Sequence, residues 1–125
     1  MKQILIIGCG GFMGAILRYI TAGWIQKINR FTLFPYGTLG VNMIGCLLIG
    51  ILGGMADNHE FFSPSVRMLL LVGVLGSFTT FSTFGYETLA LIRDQQLLMA
   101  ATNIMIHLFA GLLAVWLGYS LSQWA

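Results

Sequence analysis

Between Gly76 and Glu87 the chain runs Gly-Ser-Phe-Thr-Thr-Phe-Ser-Thr-Phe-Gly-Tyr-Glu. Five serine and threonine hydroxyls, three phenylalanines and one carboxylate stand where a membrane-crossing helix ordinarily carries leucine and valine. Polar groups in hydrocarbon are costly unless they meet a partner or a water-filled path, so the run reads as an ion pathway rather than a packing seam. Phe81 and Phe84 lie three residues apart and share a helix face, with Ser77 four before the first and Thr88 four after the second. A phenyl ring has a positive edge, and edges turned into a pore stabilise a small anion without the trap a full charge would set. Ser82 and Thr83, between the rings, add hydroxyls. The first half of the run suggests a different chemistry. Gly76 followed by the β-branched pair Thr79 and Thr80 favours local unwinding, which is tolerated only inside protein or beside a water-filled cavity. Carbonyls freed in this way are hard ligands for a small cation, shared between two subunits if the break lies near a two-fold axis.

Other polar residues extend these tracks. Asn42 has an amide in an apolar segment, one turn beyond Thr38 on the same face; it can bond a neighbouring helix or donate to an anion. Arg18, in an apolar stretch without an adjacent acid, either snorkels to the interface or forms a positive vestibule that concentrates anions. Glu87 can line an entrance, pair with Arg18 or hold a proton. Asn103 and His107, four apart, share a face and extend a polar route or simply pack. Cys9 and Cys46 have no metal-ligand or redox spacing and read as small buried thiols.

These residues must be positioned by membrane helices. The 125 residues are 58% hydrophobic and 8% charged, against about one-quarter charged in a soluble domain. No basic cluster points to nucleic acid. Four apolar stretches, about 4–25, 37–55, 66–92 and 97–121, each approach the roughly 20 residues needed to cross a bilayer, which predicts an all-α integral membrane protein with one domain over residues 1–125. Lys2 precedes the first apolar run, but that run continues to Ile25 without a clean cleavage site and reads as a span. With four spans, Lys2 and Arg67 fall on one side of the membrane, and Lys27, Arg30 and Arg93, with Arg18 near that end, on the other. So slight a bias leans the first loop toward the cytoplasm but leaves a dual-topology, antiparallel homodimer as an equal alternative. Gly10-x-x-x-Gly14 and Gly50-x-x-x-Gly54 permit close helix approach, and four helices are few to enclose a polar route, which favours completion by a second subunit.

Gly14-x-x-x-Arg18-Tyr19, Gly37-Thr38-Leu39-x-Val41-Asn42-x-x-Gly45 and Gly73-x-x-Gly76-x-Phe78-Thr79-Thr80-Phe81-Ser82-Thr83-Phe84 together resemble the Fluc (CrcB) fluoride channels, in motif order as in length and span count. The resemblance implies an antiparallel, dual-topology homodimer in the cell membrane whose third helix is broken near its middle and which exports fluoride passively. It implies a pore lined by Phe81 and Phe84, with Asn42 as a donor beside them and Ser82 and Thr83 on the hydroxyl track. It further implies a structural sodium ion at the dimer centre on the Gly76 and Thr79 carbonyls, with Arg18 and Glu87 nearer the entrances. Two other readings compete. A small multidrug-type transporter needs an acid deep in the first helix, where this chain has Arg18; a structural membrane subunit leaves the hydroxyl–aromatic run without a purpose. No nucleophile–base pair or metal triad suggests an enzyme.

Overall fold

The computed structural model describes residues 1–29, 33–58 and 62–124. Arg30, counted above in the charge bias, lies outside them. The described residues are helical, with no strand, and contain four helices long and apolar enough to cross a membrane. Helix α1 covers Lys2–Ile28 and α2 Tyr36–Asn58. The third span, Pro64–Arg93, is composite. It opens with α3 (Pro64–Arg67), passes through π-helical turns at Met68–Leu75, and continues as α4 (Gly76–Phe78) and α5 (Phe81–Arg93). Between the last two, Thr79 (φ −84°, ψ 160°) and Thr80 (φ −152°, ψ 115°) are extended. The fourth span is α6, Leu97–Ser122. The chain is an all-α, multi-pass membrane protein.

Local chemistry sets the ends of these elements. Ser63 accepts the Val66 N–H and precedes Pro64 at the first helical position, a start that satisfies one orphan donor and needs none from proline. Between α1 and α2, Gln26 donates to the Phe34 carbonyl at 3.2 Å and accepts from the Gly37 N–H at 2.9 Å, closing the connection with one side chain. The α5–α6 turn places Gln95 at φ 59°, and the Gln96 N–H bonds back to the Leu91 carbonyl at 2.8 Å.

Two backbone crossings hold the spans together, α1 against the π-helical turns and α2 against α6. A Cβ added to Gly10 would lie 2.6 Å from the Leu69 carbonyl oxygen and 3.0 Å from the Gly73 Cα. One added to Gly118 would lie 3.0 Å from the Ile51 nitrogen and 3.2 Å from the Gly50 Cα. Without the usual hydrophobic drive between helices in lipid, such contact supplies the packing. Both glycine motifs are thus used within this one chain. Among the described residues Val41 and Asn103 are the large side chains buried completely, while rings such as Phe12, Tyr19 and Trp24 remain mostly exposed. That distribution suits a protein whose solvent is lipid.

Candidate functional site

The extended pair Thr79–Thr80 is held by α2. The Thr80 N–H donates to Asn42 Oδ1 at 2.9 Å, and Asn42 Nδ2 donates to the Thr80 carbonyl at 3.1 Å. One side-chain amide therefore pairs with both backbone groups of one residue, as a neighbouring strand would. Asn42 and Thr80 are both buried, at 9% exposure, so water does not compete for these bonds. Thr80 then starts α5. Its Oγ1 accepts the Thr83 N–H at 3.2 Å and its hydroxyl donates to Thr83 Oγ1 at 2.9 Å, with Ser82 Oγ 3.3 Å away. Upstream, the Thr79 hydroxyl folds back onto the Leu75 carbonyl at 3.1 Å.

Beside this junction is a concavity of about 650 Å³. Asn42, Gly76, Thr79, Phe81, Phe84 and His107 line it, with an apolar floor that includes Met43, Cys46 and Leu108. The Phe81 and Phe84 rings are 5.5 Å apart and tilted by 50°; Phe84 in turn lies 4.3 Å from the His107 ring. Behind Phe84 a hydrogen-bonded series joins α5 to α6. The Thr88 hydroxyl donates to the Phe84 carbonyl at 2.7 Å, Asn103 Nδ2 donates to Thr88 Oγ1 at 2.9 Å, and His107 Nδ1 sits 2.9 Å from the Asn103 carbonyl. A carbonyl only accepts, so that nitrogen carries the proton.

A second cleft, about 560 Å³, contains Thr38, Glu87 and Asp94. Thr38 Oγ1 donates to Glu87 Oε1 at 2.8 Å. Three buried polar atoms have no hydrogen-bond partner among the described residues: Glu87 Oε2, Asn103 Oδ1 and His107 Nε2.

The structure brings five residues singled out from sequence, Asn42, Phe81, Phe84, Gly76 and Thr79, onto one concavity. It sets Ser82 and Thr83 on the exposed side of the α5 start, where they bond Thr80 instead of lining that concavity. Arg18 is half-buried on α1 and makes no ion pair with Glu87; the ion pair among the described residues is Arg67–Asp57, at 3.6 Å. In the sequence Thr80 reads as part of the unwinding pair, and its role as the start of α5 is missed. The available signal was a helix start, Thr80 followed three residues on by Thr83. The described residues contain no group of three or more His, Cys, Asp or Glu able to hold a metal. The oxygen atoms at the junction are backbone carbonyls together with Asn42 Oδ1 and the Thr79 and Thr80 hydroxyls, and these side-chain oxygens are already engaged in hydrogen bonds.

A family model described as "CrcB-like protein, Camphor Resistance (CrcB)" matches residues 5–119. The chain is 43% identical over 118 residues to "Fluoride-specific ion channel FluC 3" of Methanosarcina barkeri, covering 94% of this chain and 88% of that protein. It is 41% identical over 121 residues to "Fluoride-specific ion channel FluC" of Methylobacillus flagellatus, covering 97% and 94% respectively. The channel of the same name from Nitratidesulfovibrio vulgaris is 40% identical over 123 residues, 98% of each chain. With four apolar spans, a family model that matches residues 5–119 and relatives about 40% identical over nearly the whole chain, this chain belongs to the CrcB family.

Proposed function

We propose that the chain is a fluoride-selective channel that lets fluoride leave the cytoplasm passively. The observation that carries this is the near-complete alignment with relatives named as fluoride-specific channels, and the geometry gives it a physical basis. Fluoride is small and strongly hydrated, so a pore must replace its water with close donors. Asn42 spends one amide proton on Thr80 and has a second to offer. The Phe81 and Phe84 rings beside it supply positive edges, which hold an anion weakly enough to release it. Chloride is excluded by size.

The functional unit of this proposal is an antiparallel homodimer of inverted subunits. Supporting it, Phe81 is 83% exposed, and Ser82 and Thr83 present hydroxyls within a membrane span. Hydroxyls facing hydrocarbon are costly, and in this reading a second subunit gives Ser82 and Thr83 a polar wall and covers the Phe81 ring. Gly76 and Thr79 would hold a sodium ion through their carbonyls together with the same residues of the second subunit, and the ion's positive charge would fix the two third spans against each other. The donors suit it, since sodium is a hard cation and carbonyl oxygens are hard ligands. Arg18 would add positive potential near an entrance, and Glu87, held by Thr38, would line one.

The test is fluoride efflux from liposomes containing the purified chain, compared with chloride efflux and repeated with Phe81→Ile and Phe84→Ile. Fluoride-selective flux that falls at least about tenfold in each variant is expected, the size of a lost contact of ~1.4 kcal/mol. Equal fluoride and chloride flux would defeat the selectivity claim, and unchanged efflux in both variants would remove the aromatic wall from the mechanism.

A further inference from the structure

In an unbroken α-helix the N–H of residue i bonds the carbonyl of residue i−4. The Gly76 carbonyl would then receive the Thr80 N–H, and the Thr79 carbonyl the Thr83 N–H. Neither bond is made, and the reason is visible in both cases. The Thr80 N–H goes to Asn42 Oδ1 at 2.9 Å, and the Thr83 N–H goes to Thr80 Oγ1 at 3.2 Å. A side-chain oxygen has taken each proton. The same two residues lock themselves in place, because Asn42 Nδ2 returns a bond to the Thr80 carbonyl at 3.1 Å and Thr80 is extended. The Thr79 hydroxyl, turned onto the Leu75 carbonyl, is also withdrawn. Gly45 lets α2 come this close, since a Cβ there would run into Thr79 Cγ2.

We propose that Asn42 and Thr80 are positioning residues that keep the Gly76 and Thr79 carbonyl oxygens free for a cation by capturing the amide protons those carbonyls would otherwise accept. The inference rests on the reading of those carbonyls as sodium ligands. It also assigns Asn42 a second duty. The amide that offers one proton to the anion concavity uses its oxygen to hold the helix open, so anion route and cation site share one side chain. Truncating Asn42 returns the Thr80 N–H to Gly76, and removing the Thr80 hydroxyl returns the Thr83 N–H to Thr79. Each change rewinds one turn and occupies one carbonyl.

The experiment measures sodium binding without relying on conduction. The purified full chain is melted in detergent with NaCl or with N-methylglucamine chloride at equal ionic strength, since a ligand that binds only the folded state raises its melting temperature. Wild type is expected to show a sodium-specific rise. In Asn42→Ala and Thr80→Val the sodium concentration for half the effect increases about tenfold or more, the scale of a lost charge-assisted contact. Thr80→Ser, which keeps the hydroxyl, retains the wild-type response. The double variant Thr80→Val/Thr83→Pro separates capture from general damage, because proline in the first turn has no N–H to return to Thr79; it is expected to regain sodium sensitivity. Wild-type sodium response in Asn42→Ala and Thr80→Val overturns the proposal, as does a double variant no more sensitive than Thr80→Val alone. If wild type itself shows no sodium-specific rise, the sodium reading fails and this inference with it, while fluoride efflux reports independently on the channel.

Discussion

Adding one methyl group at Gly118 and at Gly53 should change stability in opposite directions, although both glycines sit in spanning helices. At Gly118 the new carbon meets the Leu47 carbonyl oxygen, the Ile51 nitrogen at 3.0 Å and the Gly50 Cα at 3.2 Å. All three are backbone atoms, which cannot rotate aside. Carbon contacts are comfortable at about 3.5–4.0 Å, so α6 must retreat from α2, and a gap of 0.5–1 Å forfeits roughly a quarter to a half of each atom pair's attraction. If about thirty pairs at ~0.1–0.2 kcal/mol line the crossing, the loss is on the order of 1–3 kcal/mol, the usual range for overpacking. At Gly53 nothing lies within 4 Å, so Gly53→Ala keeps only the helix-propensity gain of up to ~1 kcal/mol. That gain is common to both sites, so Gly118→Ala should come out about 1–3 kcal/mol less stable than Gly53→Ala. Reversible unfolding in mixed micelles, followed by tryptophan fluorescence, measures this. Equal stability of the two variants would refute the claim that Gly118 is present for backbone approach.

Two further outcomes follow from polar and backbone details. Gln95→Gly relieves a left-handed residue and should stabilise the protein by on the order of 1 kcal/mol in the same unfolding assay; destabilisation would show that the Gln95 side chain contributes more than its backbone costs. A double-mutant cycle between Thr88→Val and Asn103→Leu should give a coupling of about 0.6–1.7 kcal/mol, the range for interhelical hydrogen bonds in membranes, and zero coupling would deny the 2.9 Å bond any energetic weight.

How much of this was legible in the sequence differs from residue to residue. The four spans follow from unbroken apolar length, a one-dimensional property. The glycines at 10, 14, 50 and 54 announce close approach, but no spacing rule says which helix comes close, and the partners at Gly73 and Gly118 emerge only from the packing. Phe81 and Phe84 are placed correctly on one face by helical spacing. Ser82 and Thr83 are not explained by spacing, because the extended Thr79–Thr80 pair resets the helical phase just before them and α5 begins with a turn of its own. The bond from Asn42 to Thr80 spans 38 positions, and the sequence shows that a lone amide in an apolar helix needs a partner or an anion without showing which residue that partner is.

The helices of this chain are joined in two unlike ways. Where α1 meets the π-helical turns and α2 meets α6, the joint is steric, and a Cβ added at Gly10, Gly14, Gly50 or Gly118 meets backbone atoms. The thirteen-residue α5 adds polar contacts to the apolar packing of residues such as Leu91, with Asn42 bonded to the preceding Thr80, Thr38 to Glu87, and Asn103 to Thr88, and at Gly85 it has open space. A steric joint admits one solution, whereas a hydrogen-bonded one admits any pair of side chains with a matching donor and acceptor. Sequence change is therefore easier to accommodate along α5 than at the glycines of the steric joints, where the neighbouring atoms are backbone and cannot turn aside.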